Sequence, residues 1–108
     1  MDTKLDTKKA LEQVAREIRE CEKCELRRTA TAPVPGLGEI GAKYYLLGEA
    51  PGRTEDEQNM PFVGAAGKKL DRLLELAKID PNEIYLANVC RCRPPENRTP
   101  KKKEIAAC

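Results

Sequence analysis

Five cysteines and no histidine stand in a chain of 108 residues, and their spacing is uneven. Cys21 and Cys24 form a Cys-x-x-Cys pair, while Cys90, Cys92 and Cys108 lie far downstream. Two thiolates that close in sequence grip one metal centre, so the pair is a ligand motif whose partners must come from the later three. Zinc ribbons keep their two pairs roughly 15 to 20 residues apart, and here the gap is far wider. An all-cysteine set suits an iron–sulfur cluster as well as it suits zinc. On spacing alone the two metals stand level, with unligated core thiols a third reading. Cys90 falls on an expected strand and reads as a thiol held in the core.

A second constellation begins at Gly48-Glu49-Ala50-Pro51-Gly52, directly after the apolar run Tyr44-Tyr45-Leu46-Leu47. Two glycines and a proline force a turn there and bring backbone close to a ligand. In open α/β sheets ligands bind at the carboxyl ends of strands, where this turn falls. Glu49 and Phe62 are the first candidates for function, and Phe62 is the one phenylalanine of a chain without tryptophan. The competing reading makes Glu49 a solvated strand-end acid and Phe62 a core plug.

The elements that must carry these residues follow from apolar spacing. Leu11, Val14, Ala15 and Ile18 fall at i, i+3, i+4 and i+7, which predicts a helix over 7–20. Residues 26–41 show no period and carry three glycines and two prolines, a long loop. Tyr44–Leu47 lacks polar alternation and predicts a strand buried on both faces. After the acidic segment 53–60 and Pro61-Phe62-Val63-Gly64, a helix is expected over 65–78 with Leu70, Leu73, Leu74 and Ala77 on one face. Gly64 and Gly67 at its start allow its first turn to approach its neighbours closely. Asp80-Pro81-Asn82-Glu83 has the order of a capping box and predicts a short helical turn. Ile84–Val89 reads as a second buried strand. Strand, crossover helix and strand make a βαβ unit with parallel strands. The last segment is a proline-rich basic loop leading to a helix capped by Thr99 with Pro100 at its first position. The fold class expected is α/β, the N-terminal portion of an αβα sandwich with a parallel central sheet. Residues 1–108 form one domain, and such a small sheet with open edges reads as a truncated one.

Composition narrows the function classes. Hydrophobic residues make up 40% and charged ones 35%, the balance of a globular chain, and no apolar run approaches a membrane span. The polar start Met1-Asp2-Thr3-Lys4 gives no sign of a signal peptide, so the cytoplasm is the expected compartment; disulfides are disfavoured there, which again favours metal ligation. Net charge is +2, but six basic and two acidic residues from Asn88 onward put +4 at that end. Such an end suits a polyanion such as DNA, and a solvated tail accounts for it equally on charge alone. The turn after the first strand has neither GxGxxG nor the GK[ST] ending of a phosphate-binding loop, which weakens a nucleotide-binding reading.

Four motifs in register change the weighting: Gly48-Glu49-Ala50-Pro51-Gly52-x-x-Glu55-Asp56, Pro61-Phe62-Val63-Gly64-x-Ala66-Gly67, Asn88-Val89-x-x-Cys92-Arg93-Pro94-Pro95-x-Asn97-Arg98 and the Cys-x-x-Cys pair. From Cys21 to Cys108 the chain resembles the family 4 uracil-DNA glycosylases, the iron–sulfur members of their superfamily. The resemblance implies a 4Fe-4S cluster on Cys21, Cys24, Cys92 and Cys108, with Cys90 a bystander; zinc stays the alternative that cysteine spacing left open. It implies that Glu49 belongs to the first catalytic motif, that Phe62 stacks on a flipped uracil and that Asn88 reads the amide edge of the base. Gly48, Ala50, Pro51 and Gly52 would shape the same pocket, and Arg93, Arg98, Lys101, Lys102 and Lys103 would meet DNA. The implied partner is uracil-containing DNA, bound by a monomer with no membrane involved. Family members continue for roughly as many residues again and bring a histidine motif that this sequence lacks, so a missing C-terminal half is expected.

Those roles have a physical basis. A glycosylase reaches the N-glycosidic bond by flipping the nucleotide into a pocket. The Asn88 amide offers both the donor and the acceptor that uracil's O4 and N3–H require. A carboxylate such as Glu49 stabilises the oxocarbenium-like sugar and orients water. Backbone amides near Gly52 and Gly64 are candidates to hold the uracil oxyanion, while Glu55 and Asp56 read as hydrogen-bonding organisers of the turn. The competing class is a non-catalytic, cysteine-ligated module that binds DNA without releasing a base.

Overall fold

The computed structural model describes residues 3–108, with side chains from Leu5 onward; Met1 and Asp2, part of the polar start, lie outside the described residues. Helix α1 spans Thr3–Arg19, and α2 is a single turn, Leu26–Thr29, inside the segment expected to be loop. Strands β1 (Leu37–Gly38) and β2 (Tyr44–Gly48) come next. Helices α3 (Arg53–Gln58) and α4 (Ala65–Leu76) then lead to β3 (Ile84–Asn88), and α5 (Lys102–Ala107) follows. Among the described residues no helix is long and apolar enough to cross a membrane.

The sheet has the order β1-β3-β2. β2 and β3 are parallel, with Tyr44 opposite Ile84 and Gly48 opposite Asn88, so the expected βαβ unit is present. The pairing runs on past the strands, where Val89 N–H donates to the Gly48 carbonyl and Cys90 N–H to that of Glu49. Leu37 and Gly38 add an antiparallel edge that the glycine-rich loop did not announce. A two-residue strand has no alternation to read. Gly38, at φ +153° with its Cα against the Tyr85 backbone, admits no side chain there.

Burial departs from the sequence expectation at β2. Ile84 and Ala87 on β3 are buried, whereas Tyr45 and Leu47 on β2 are 59% and 56% exposed. β3 lies between two strands and β2 is an edge, so no described layer covers the apolar side chains of β2. Helix α4 shows the same half-covering: Leu74 is buried, but Leu73 is 61% exposed. Over one face of the sheet, a cavity of about 390 Å³ separates Leu11, Val14 and Ile18 of α1 from Tyr45 and Tyr85. Those two rings stack at 5.5 Å between centroids.

Helix starts follow local hydrogen bonds. Asp80 accepts from the Asn82 amide and caps the 3-10 turn Pro81–Glu83, as its motif predicts. The last helix corrects the Thr99–Pro100 expectation: it is capped at Lys101, whose N–H donates to Glu104 at 2.7 Å. Glu104 is 3% exposed and takes a bidentate bond from Arg98 at 2.8 and 2.9 Å. The Arg98 guanidinium, helped by the Lys101 amide, holds the Glu104 carboxyl down at about 2. A depressed folded value stabilises the fold above the unfolded pKa, near 4.3, and the stabilisation is lost as pH falls toward 2. Glu104→Gln is expected to lower the neutral-pH melting temperature by several degrees and to flatten its pH dependence between pH 4.5 and 2, measured by circular dichroism.

Candidate uracil site and cysteine cavity

Gly48 ends β2 directly opposite Asn88 at the end of β3. A Cβ built on Gly48 would collide with Asn88 Oδ1 and lie 2.7 Å from Phe62 Cζ, so the amide and the ring converge on the bare Cα of Gly48. Asn88 is 5% exposed, and among the described residues its side-chain amide makes no hydrogen bond. The residue is buried as a whole, but its amide atoms still reach solvent, because no fully buried side-chain polar atom lacks a partner among the described residues. A free donor and acceptor beside an aromatic ring suit a planar partner. Glu49 follows Gly48 at the exposed strand end, and its carboxylate has no partner among the described residues. Ala50 is half-buried and Pro51 is buried, which carries the turn into α3.

Phe62 adopts φ +55°, a left-handed conformation that costs a bulky residue about 1–3 kcal/mol. Gly67, in the first turn of α4, holds it there by contact: a Cβ on Gly67 would overlap the Phe62 carbonyl. Gly67→Ala is therefore expected to destabilise the chain by roughly 1–3 kcal/mol in urea denaturation, because the Phe62 loop must move.

The amides of Gly52 and Gly64 correct one expectation. Both donate to the Glu55 carboxylate, at 3.0 and 2.5 Å, and Val63 N–H joins them at 3.0 Å. They are satisfied within the fold and are not free to hold a uracil oxyanion. Asp56, also buried, accepts from the Thr31 amide and hydroxyl at 2.9 and 2.8 Å. The sequence suggested both acids as organisers; Gly52 lies only three residues from Glu55, but the other partners, 8 to 25 residues away, needed the fold.

Cys21, Cys92 and Cys108 line one cavity of about 610 Å³, which takes in neither Phe62 nor Asn88. Cys24 packs against Cys92 beside Leu26 and Ala30. Cys108 Sγ accepts from Arg91 N–H at 3.3 Å, which ties α5 to the segment after β3. Burial pushes the Cys92 thiol up to about 12 and the Cys90 thiol up to about 11, with charge on Cys24 and Cys108 adding to both. Among the described residues no three such side chains converge on a single ion; four of the five thiols instead gather around the cavity and its wall. Cys90 is fully buried but lies two residues past the end of β3, not on the strand as expected, with its N–H bonded to the Glu49 carbonyl.

Of the basic residues, Arg98 is committed to Glu104, and Arg93 donates to Asn97 Oδ1 at 2.7 Å. Lys101, Lys102 and Lys103 are exposed at the start of α5. Arg91 borders the cysteine cavity, and Glu104, which clamps Arg98, was not singled out as a site residue. An acid three residues after Lys101 is the sequence signal that would have found Glu104.

A strand-end turn, an aromatic ring and an unpaired amide meet where the two parallel strands end. The chain belongs to the uracil-DNA glycosylase superfamily, whose family model matches residues 35–108. It is similar to proteins named type-4 uracil-DNA glycosylase. The one from Archaeoglobus fulgidus is 46% identical over 99 residues, 92% of this chain and 50% of that protein. The one from Sulfurisphaera tokodaii is 43% identical over 100 residues, 92% of this chain and 46% of the relative. The one from Thermotoga maritima is 41% identical over 98 residues, 91% and 51% respectively. The chain spans about half the length of the curated relatives it matches.

Proposed function

We propose that the chain carries one wall of a uracil pocket and serves the hydrolytic removal of uracil from DNA, as the names of its relatives suggest. The observation that supports this most is the convergence of Phe62 and the unpaired Asn88 amide on Gly48. A flipped uracil lying on the Phe62 ring presents O4 and N3–H to the Asn88 amide. Cytosine, whose edge is reversed, leaves both pairs mismatched. Glu49 at the open strand end stabilises the cationic sugar and orients water. Lys101, Lys102 and Lys103 with Arg93 supply the salt-sensitive contact with phosphates.

Cys21, Cys24, Cys92 and Cys108 are the residues that would hold a 4Fe-4S cluster. Donors gathered around a cavity suit a multi-iron cluster better than one zinc ion, and an all-thiol set suits either. Held as thiolates by such a cluster, Cys21 and Cys24 before α2, Cys92 after β3 and Cys108 after α5 would tie those segments together. The test of function is a uracil-containing oligonucleotide incubated with this chain and, in parallel, with the chain joined to the second half of a relative. Alkali-labile abasic sites formed by the joined protein support the proposal. Their absence in both reactions, with salt-sensitive DNA binding retained, favours the non-catalytic module.

A further inference from the structure

Phe62 sits on a short loop in a left-handed conformation, and its ring, which has no polar atom, depends on backbone and packing for its position. Its immediate successors are fixed: Val63 and Gly64 both give their N–H groups to Glu55 Oε2. The other oxygen, Oε1, takes the Gly52 N–H, so one carboxylate joins the turn after β2 to the Phe62 loop. The fit is close, since a Cβ on Gly52 or on Gly64 would each lie 2.8 Å from a carboxylate oxygen of Glu55. The helix bearing Glu55 is itself held, through Asp56 on Thr31 and through Asn59 Nδ2, which donates to the Pro33 carbonyl at 2.8 Å.

We propose that Glu55 is the positioning residue of the pocket: its carboxylate, by clamping the Val63 and Gly64 amides to the Gly52 turn, sets the Phe62 ring against Gly48 and Asn88. This rests on the reading of Phe62 as a base platform. Glu55 touches no base. It acts through Phe62, and three N–H donors on one carboxylate are stronger than any neutral replacement supplies.

Because Phe62 is the one phenylalanine, protein labelled at phenylalanine alone reports this residue in NMR without assignment. In Glu55→Gln the Phe62 amide and ring signals are expected to shift and broaden or split, and affinity for a uracil-containing single strand to fall about tenfold or more. Asp56→Asn removes a comparable buried contact from the same helix and is expected to lower stability with the Phe62 signals nearly unmoved. A purely structural role for Glu55 would make the two variants alike. If Glu55→Gln does not fold, Gly64→Ala, which crowds the same carboxylate, takes its place. Phe62 signals in the Glu55 variant identical to wild type would overturn the proposal. A wild-type ring that does not respond to the uracil strand would sink the platform reading, while the unliganded comparison still decides Glu55.

Discussion

Asn88→Ala is expected to weaken binding of a uracil-containing single strand by about 10- to 100-fold, the consequence of losing roughly 1–3 kcal/mol of buried hydrogen bonding. Asn88 is buried, its amide has no described partner, and it faces Gly48 and Phe62. With a truncated side chain the base loses both edge contacts, yet the alanine leaves no polar group behind. Fold stability should therefore change little, which separates this variant from a merely damaging one. Asn88→Asp makes a finer point. An ionised carboxylate only accepts, so it repels uracil O4 and offers a partner to the exocyclic amine of cytosine. The ratio of uracil to cytosine affinity is expected to fall by more than in the alanine variant. Fluorescence anisotropy with matched strands measures all three.

The second large effect lies at the cysteines. On the proposed ligand set, freshly purified protein is expected to show a broad brown absorbance and about four irons per chain, and Cys92→Ser to lose both. The melting temperature should drop by about 10 °C or more, since a group that binds only the folded state stabilises it by mass action. Cys92 is buried next to Cys24 and opens on the cavity shared with Cys21 and Cys108. Cys90→Ser, two residues away but turned into the core, is expected to keep the colour and the iron while losing some stability through a buried hydroxyl. Colourless protein with stoichiometric zinc would overturn the cluster and leave the ligand set intact.

How much of this was legible in the residues depended on whether the signal was local. The βαβ unit was, because Tyr44–Leu47 and Ile84–Asn88 are apolar runs bracketed by turn residues. The Asp80 cap was, because its partner is two residues away. Helices α2 and α3 were not: four and six residues hold too few turns for a period to show. The exposure of Tyr45 and Leu47 was not, because an apolar edge strand and an apolar central strand read alike. The Lys101 start of α5 was displaced from Thr99 by Glu104, whose bond to the Lys101 amide is joined by Arg98 from six residues upstream. At the site, residue types pointed to Phe62 and Asn88, but their meeting at Gly48 depends on the parallel register of β2 and β3. The bond from the Gly52 amide to Glu55, three residues on, carries a local capping signal, but the engagement of the Gly64 amide, nine residues away, could not be read locally.

The central claim is that Phe62 and Asn88 recognise uracil, and one titration tests it most directly. Protein labelled at its single phenylalanine is titrated with a short single strand carrying one uracil, and with the same strand carrying cytosine at that position. The predicted result is a saturable shift of the Phe62 ring signals with the uracil strand, much weaker with cytosine and lost in Asn88→Ala. Equal shifts with both strands, or none with uracil while the strand still binds, would contradict it.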